Sequence, residues 1–207
     1  MKFTHTSTRC AIKDNSDSSP LETALYYGYL DVANLLADNG AALDLNTAAA
    51  LGRVELTRKF LDQAEKERAE ALKRAASETN SSKEYYAIGP IPAGYRFGFG
   101  RLTPLDWAAR GGSVETAELL IARGASVSAA DKDSALICAS ERGHLAVADF
   151  LVKHGADVNA TNESGWTPLL TAARNAVSPK LTKFLIDAGA HVNAMDSSGE
   201  NALHKLA

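Results

Sequence analysis

The chain's candidate chemical groups are few and scattered. Its five histidines, His5, His144, His154, His191 and His204, form no His-x-x-x-His pair and no Cys/His cluster at metal-ligand spacing. The two cysteines, Cys10 and Cys138, are too few for a disulfide framework or a metal site. Cys138 lies in an Ala-rich run and reads as a small packing residue. The run Gly98-Phe99-Gly100-Arg101 has a Gly-x-Gly pair but no following Lys-Ser/Thr, so it reads as strand glycines, not a phosphate loop. The residues therefore predict no catalytic site, no cofactor and no metal. Side chains suited to binding are easier to find. Tyr26 and Tyr27 adjoin a glycine, as do the arginines Arg110 and Arg142, and aromatic and Arg side chains are what interface anchors are made of.

The elements that must position these residues repeat. Four segments share one plan: "PLETALYYGYLDVANLLADNGA", "PLDWAARGGSVETAELLIARGA", "ALICASERGHLAVADFLVKHGADVNA" and "PLLTAARNAVSPKLTKFLIDAGAHVNA". Each has a short Ala-rich run, a central Gly or Ala, an apolar run of helical period, and a closing Gly-Ala. The central and closing glycines are 12 residues apart in three of them: Gly28 and Gly40, Gly112 and Gly124, Gly143 and Gly155. In the fourth, Ala176 and Gly189 are 13 apart, and Pro179 can open the second helix. Small residues such as Ala108, Ala109, Ala139, Ala172 and Ala173 let the first helix approach its neighbours. The glycine then ends it, because glycine tolerates the left-handed cap conformation. Val147, Phe150 and Leu151 mark the buried face of a second helix. One such unit cannot cover both of its faces, so the units must stack into a solenoid.

The motifs "GWTPLLTAARN", "LTPLDWAARGG", "GHLAVADFLVKHGADVNA" and "DSSGENALHKLA" resemble the ankyrin repeat family, with its Thr-Pro-Leu-His, Ala-Ala, Gly-His and Gly-Ala-Asp-Val-Asn pattern. The unit starts at Thr103, Ser134, Thr167 and Asn201 are spaced by 31, 33 and 34 residues. The resemblance covers residues 14–62 and 101–207. It implies an all-α solenoid of stacked helix pairs joined by β-hairpin turns that project to one side. It also implies that His144 and His204 are structural hydrogen-bonding residues. The residues before each central glycine are then expected to be exposed on the inner face: Tyr26 and Tyr27, Ala50 and Leu51, Arg110 and Gly111, Glu141 and Arg142, Arg174 and Asn175. Trp107 is expected partly buried between neighbouring first helices, and Trp166 as a packing aromatic.

The departures from the pattern set the domain plan. Gly28 to Gly52 is 24 residues, too short for a full period. The second unit lacks its Gly-Ala stop and reads Ala64-Glu65, so its last helix is expected to overrun into the high seventies. The stretch "EYYAIGPIPAGYRFGFGR", residues 84–101, holds five of the 14 aromatics and reads as an enlarged hairpin, with Tyr95, Phe97 and Phe99 on one face. It is either a recognition element or a cover for the second unit. The plan is an N-terminal segment 1–13, repeats one and two over 14–62, an insertion over 63–100, repeats three to five over 101–194, and an incomplete repeat over 195–207.

The functional expectation is a non-catalytic protein–protein interaction module. Its partner-binding residues are expected to be Tyr26, Tyr27, Tyr95, Phe97, Trp107, Arg110, Glu141, Arg142, Arg174 and Asn175. The alternative is a regulatory or targeting part of a larger enzyme or effector. A net charge of −3 gives no electrostatic case for nucleic acid. No apolar run reaches the length of a membrane span, and no small-molecule substrate is expected. The N-terminus "MKFTHTSTRC" lacks the apolar run of a signal peptide. The expectation is a cytoplasmic, intracellular location, with secretion by a route without a signal peptide left open.

Overall fold

The structure is a computed structural model that describes residues 19–77, 102–127, 135–175 and 178–202. Side chains are described up to residue 70 of the long fourth helix and up to residue 174 of the ninth. The expected aromatic hairpin, with Tyr95 and Phe97, lies outside the described residues, as do segment 1–13, residues 128–134 and residues 203–207. Ten helices occur among the described residues. They are α1 (Pro20–Tyr27), α2 (Leu30–Asp38), α3 (Leu45–Ala50), α4 (Val54–Ser77), α5 (Pro104–Gly111), α6 (Val114–Ala122), α7 (Ala135–Arg142), α8 (Leu145–Lys153), α9 (Pro168–Asn175) and α10 (Pro179–Asp187). They form five pairs, each an inner helix followed by an outer one. Inner helices α3, α5, α7 and α9 pack side by side, and outer helices α4, α6, α8 and α10 form a second row behind them.

Local sequence explains where the helices start and stop. Ser19 and Thr103 cap α1 and α5, each followed by proline at the first helical position. Ser19 Oγ accepts from Glu22 N, and Ser19 N donates to Glu22 Oε2 at 2.6 Å. Thr103 and Asp106 exchange the same pair of bonds, so two otherwise orphaned donors are satisfied at each start. Gly112 ends α5 at φ 82, a conformation that costs a residue with a Cβ far more. The helix without a Gly-Ala stop, α4, runs for 24 residues to Ser77.

The core runs through the stack as one cluster. Ala48, Ala49, Ala108, Ala109 and Ala139 are fully buried between inner helices, where larger side chains would force the helices apart. Leu105 and Leu136 fill the space beneath them, and Val147, Leu151, Leu181 and Leu185 do so on the outer row. Phe150 is only half-buried, with its ring 4.1 Å from that of His154. The closest backbone approach is at Gly111. A Cβ there would stand 1.8 Å from the Ala50 carbonyl oxygen, so glycine permits the α3–α5 spacing.

The turns after α8 and α10 are tight reverse turns, and no strand occurs among the described residues. Asn162 N donates to Trp166 O and Gly165 N to Asn162 O. Asp196 N donates to Glu200 O, and Ser197 N to Ser164 O, which joins one tip to the next. Asn159 reaches across as well, donating from Nδ2 to Gly189 O at 3.1 Å and accepting from His191 N at 2.8 Å.

Candidate protein-binding face

The inner face is organised by one register position, two residues before the central break of each unit. Tyr26, Ala50, Arg110, Glu141 and Arg174 occupy it in order. Ala50 is small and α3 has only six residues, so the end of α1 reaches past the second unit to the third and fourth. The last carbonyls of a helix have no intrahelical partner and carry partial negative charge. Two arginines supply donors to those of α1. Arg110 donates to Tyr26 O from Nη2 at 2.7 Å and from Nε at 3.2 Å. Arg142 donates to Tyr27 O at 2.9 Å and also to Tyr26 O.

The same Arg110 guanidinium lies 4.8 Å from the centroid of the Tyr26 ring. It forms a fork with Glu141, Nη1 to Oε2 at 2.8 Å and Nη2 to Oε1 at 2.9 Å. Two planar groups matched in this way make the strongest kind of protein ion pair. Against the expectation of exposure, Ala50 is buried between inner helices and Arg110 is only 7% exposed, so Arg110 acts as a clamp between three units and offers little surface to a partner. Arg142 Nη2 lies 3.8 Å from Glu141 Oε1. Burial, and then the charge of Arg110, lowers the Arg142 pKa, and Glu141 acts in the opposite direction. Below this cluster, His144 Nε2 is 3.1 Å from the Arg110 carbonyl oxygen. Burial pulls its pKa below the ordinary histidine value, while that hydrogen bond pulls it upward.

The structure divides the predicted residues. It brings together Tyr26, Tyr27, Arg110, Glu141 and Arg142. Tyr27 stays 57% exposed, packed edge-on against Tyr26 with ring centroids 5.4 Å apart. Arg174 is exposed and lies 5.0 Å above the Trp166 ring. Asn175 ends α9. Trp107 corrects the expectation. It is 3% exposed, because α5 is covered by α3, α6 and α7 and all its residues from Pro104 to Arg110 are buried. Sequence reasoning missed Tyr29, Val32 and Leu35, which are 62%, 50% and 64% exposed. An apolar i, i+3, i+6 stripe was the available signal, but the repeat pattern made it look like core. Among the described residues no group of three His, Cys, Asp or Glu side chains could hold a metal ion. No helix among them is long and apolar enough to cross a membrane.

Comparison with known proteins agrees with the helix-pair architecture. The family model for ankyrin repeats (many copies) matches residues 105–152 and 136–186. A Caenorhabditis elegans ankyrin repeat and KH domain-containing protein, mask-1, is 31% identical over 194 residues, which is 88% of this chain and 7% of that protein. Human ankyrin repeat and KH domain-containing protein 1 is 38% identical over 71 residues, 32% of this chain and 3% of that protein. A putative ankyrin repeat protein of fowlpox virus is 37% identical over 107 residues, 48% of this chain and 30% of that protein. The chain belongs to the ankyrin repeat family. It spans only a small part of the length of these relatives. Ankyrin repeats are protein-interaction modules, and that general role extends to this chain.

Proposed function

We propose that the chain is a non-catalytic binding module that docks a protein segment along its inner face, between Tyr27 and Arg174. The observation that carries this reading is the preorganised ladder. Tyr27 is exposed yet held by Tyr26 and by the Arg142 bond to its carbonyl, so a partner meets an aromatic anchor with little left to order. Glu141 and Arg174 continue the ladder with alternating charge, which sets the register of a polar partner strand or helix. The tips at 163–165 and 197–199 extend the reach of the face. A partner suited to it offers an apolar side chain to Tyr27 and a carboxylate to Arg174.

Site-specific photo-crosslinking tests this. A crosslinker at Tyr27 or Arg174 should capture one common partner in cell extract, and a crosslinker at the exposed outer residue Lys59 should not. Tyr27→Ala should weaken capture by ~2–4 kcal/mol if the ring is an anchor. Equal capture from Lys59 counts against the inner face. A second reading is a targeting part of a larger enzyme or effector. It uses the same face.

A further inference from the structure

Counted from the closing glycines Gly40, Gly124, Gly155 and Gly189, the outer helices share a register. The position eight residues before the glycine is Val32, Thr116, Val147 and Leu181. The position five before it is Leu35, Leu119, Phe150 and Phe184. Thr116, Val147 and Leu181 are fully buried, and Leu119, Phe150 and Phe184 are half-buried. In α2 the same positions are open, at 50% for Val32 and 64% for Leu35. Leu181 stays buried in the last described pair, whereas Ile186 there is 44% exposed. The positions of Val32 and Leu35 therefore face the preceding pair, and that of Ile186 faces the following one. Tyr29 completes the pattern. It stands where His144 stands in the fourth pair, and His144 bonds to a carbonyl of the preceding inner helix.

We infer that Tyr29, Val32 and Leu35 form a docking stripe for one amphipathic helix of a partner, laid along α2 as each outer helix is laid along the next. The occupant follows from continuity with the interface that already runs between α4, α6, α8 and α10. Size supports the same occupant. At about 200 Å² for an aromatic side chain Tyr29 exposes roughly 120 Å², and Val32 and Leu35 expose half and about two-thirds of smaller side chains. A standard stable interface needs about 800 Å² per partner. The stripe alone is thus too small for a stable dimer, but it suits a helix docked by residues three and four apart.

The chain's own α8 supplies the probe, because in the stack it packs against α10, which carries Leu181 and Phe184, the counterparts of Val32 and Leu35. A fluorescent peptide of residues 143–155 is locked by a lactam between Asp149 and Lys153, which already pair at 2.6 Å. It is titrated into the full chain and followed by anisotropy. The expected result is saturable binding that falls at least tenfold in Val32→Asp plus Leu35→Asp and is unchanged in Ile186→Asp. The milder pair Val32→Ser plus Leu35→Ser should shift it in the same direction, and circular dichroism confirms that each variant keeps its helical signal. No binding at millimolar peptide, or equal binding to the variants, overturns the inference. So does a dimer in sedimentation equilibrium that the aspartates abolish, since a second copy is then the occupant. Overhauser contacts in the free chain from the Val32 and Leu35 methyls to residues 1–18 overturn it too.

Discussion

Gly111 and Gly40 separate two reasons for a glycine. A Cβ on Gly111 would overlap the Ala50 carbonyl, and backbone cannot step aside as a flexible side chain can. Gly111→Ala should therefore lower stability by at least ~2 kcal/mol, the scale of overpacking in a tight core. Gly40 has φ 90 and nothing within 4 Å of an added Cβ. Gly40→Ala carries the cost of left-handed backbone without a clash, about 1–2 kcal/mol. Urea titrations of the two variants should rank them in that order. His144 gives a pH prediction. Its pKa is lowered in the fold mainly by burial, so between the folded value and the unfolded value near 6.5 the unfolded chain binds more protons. Its contribution to stability is then complete above about pH 6.5 and lost as pH falls through the folded value. His144→Gln can still donate to the Arg110 carbonyl but does not titrate. It should show a smaller stability loss between pH 7.5 and pH 5.5 than the native chain, and an unchanged loss would remove His144 from the account.

At the scale of elements, the Arg110–Glu141 fork joins α5 to α7, and the Arg110 bonds to Tyr26 O join both to α1. Glu141→Gln leaves the buried Arg110 charge without its carboxylate and should destabilise by ~3 kcal/mol, and Arg110→Ala, which leaves a carboxylate one-third exposed beside Arg142, should cost less. The double variant should cost less than their sum by at least ~1 kcal/mol, as residues in one network couple. An additive pair would mean that the fork contributes little. On the outer row, Arg123 bridges Asp62 at 2.8 Å and Glu65 at 3.1 Å. Those carboxylates are about half exposed, so Arg123→Ala should cost only about 0.5–1 kcal/mol. The helix pairs were legible from the sequence because their causes are local: a capping Ser or Thr before Pro-Leu, an Ala-rich inner helix, a glycine stop. The clamp was not, because it depends on three residues from different units. Arg110 has the exposed position of its repeat, and its burial needs Ala50 to be small and Tyr26 to reach over it. Trp107 was expected between neighbouring inner helices but only partly buried, and α6 packed behind α5 helps to close the cover that α3 and α7 begin.

At the scale of the whole molecule, a solenoid is nearly a chain of nearest neighbours, in which outer units open first and independently. The clamp breaks that rule in one place. Arg110 and Arg142 tie the first pair directly to the third and fourth, past the second. The α1 amides should therefore exchange hydrogen about as slowly as those of α5 and α7, although α1 belongs to the first described pair. In Arg110→Ala plus Arg142→Ala this protection should fall selectively in α1 and α2, by ten- to hundredfold, or about 1.4–2.8 kcal/mol of local opening energy. The amides of α9 and α10 lie outside the bonds that Arg110 and Arg142 make to α1 and should keep their native rates. Faster exchange spread evenly over all five pairs would show instead that the clamp supports the stack as a whole. Native α1 amides that already exchange like a frayed end would show that the clamp does not hold in solution, and the inner face would then lose the rigid Tyr27 on which the proposed docking rests.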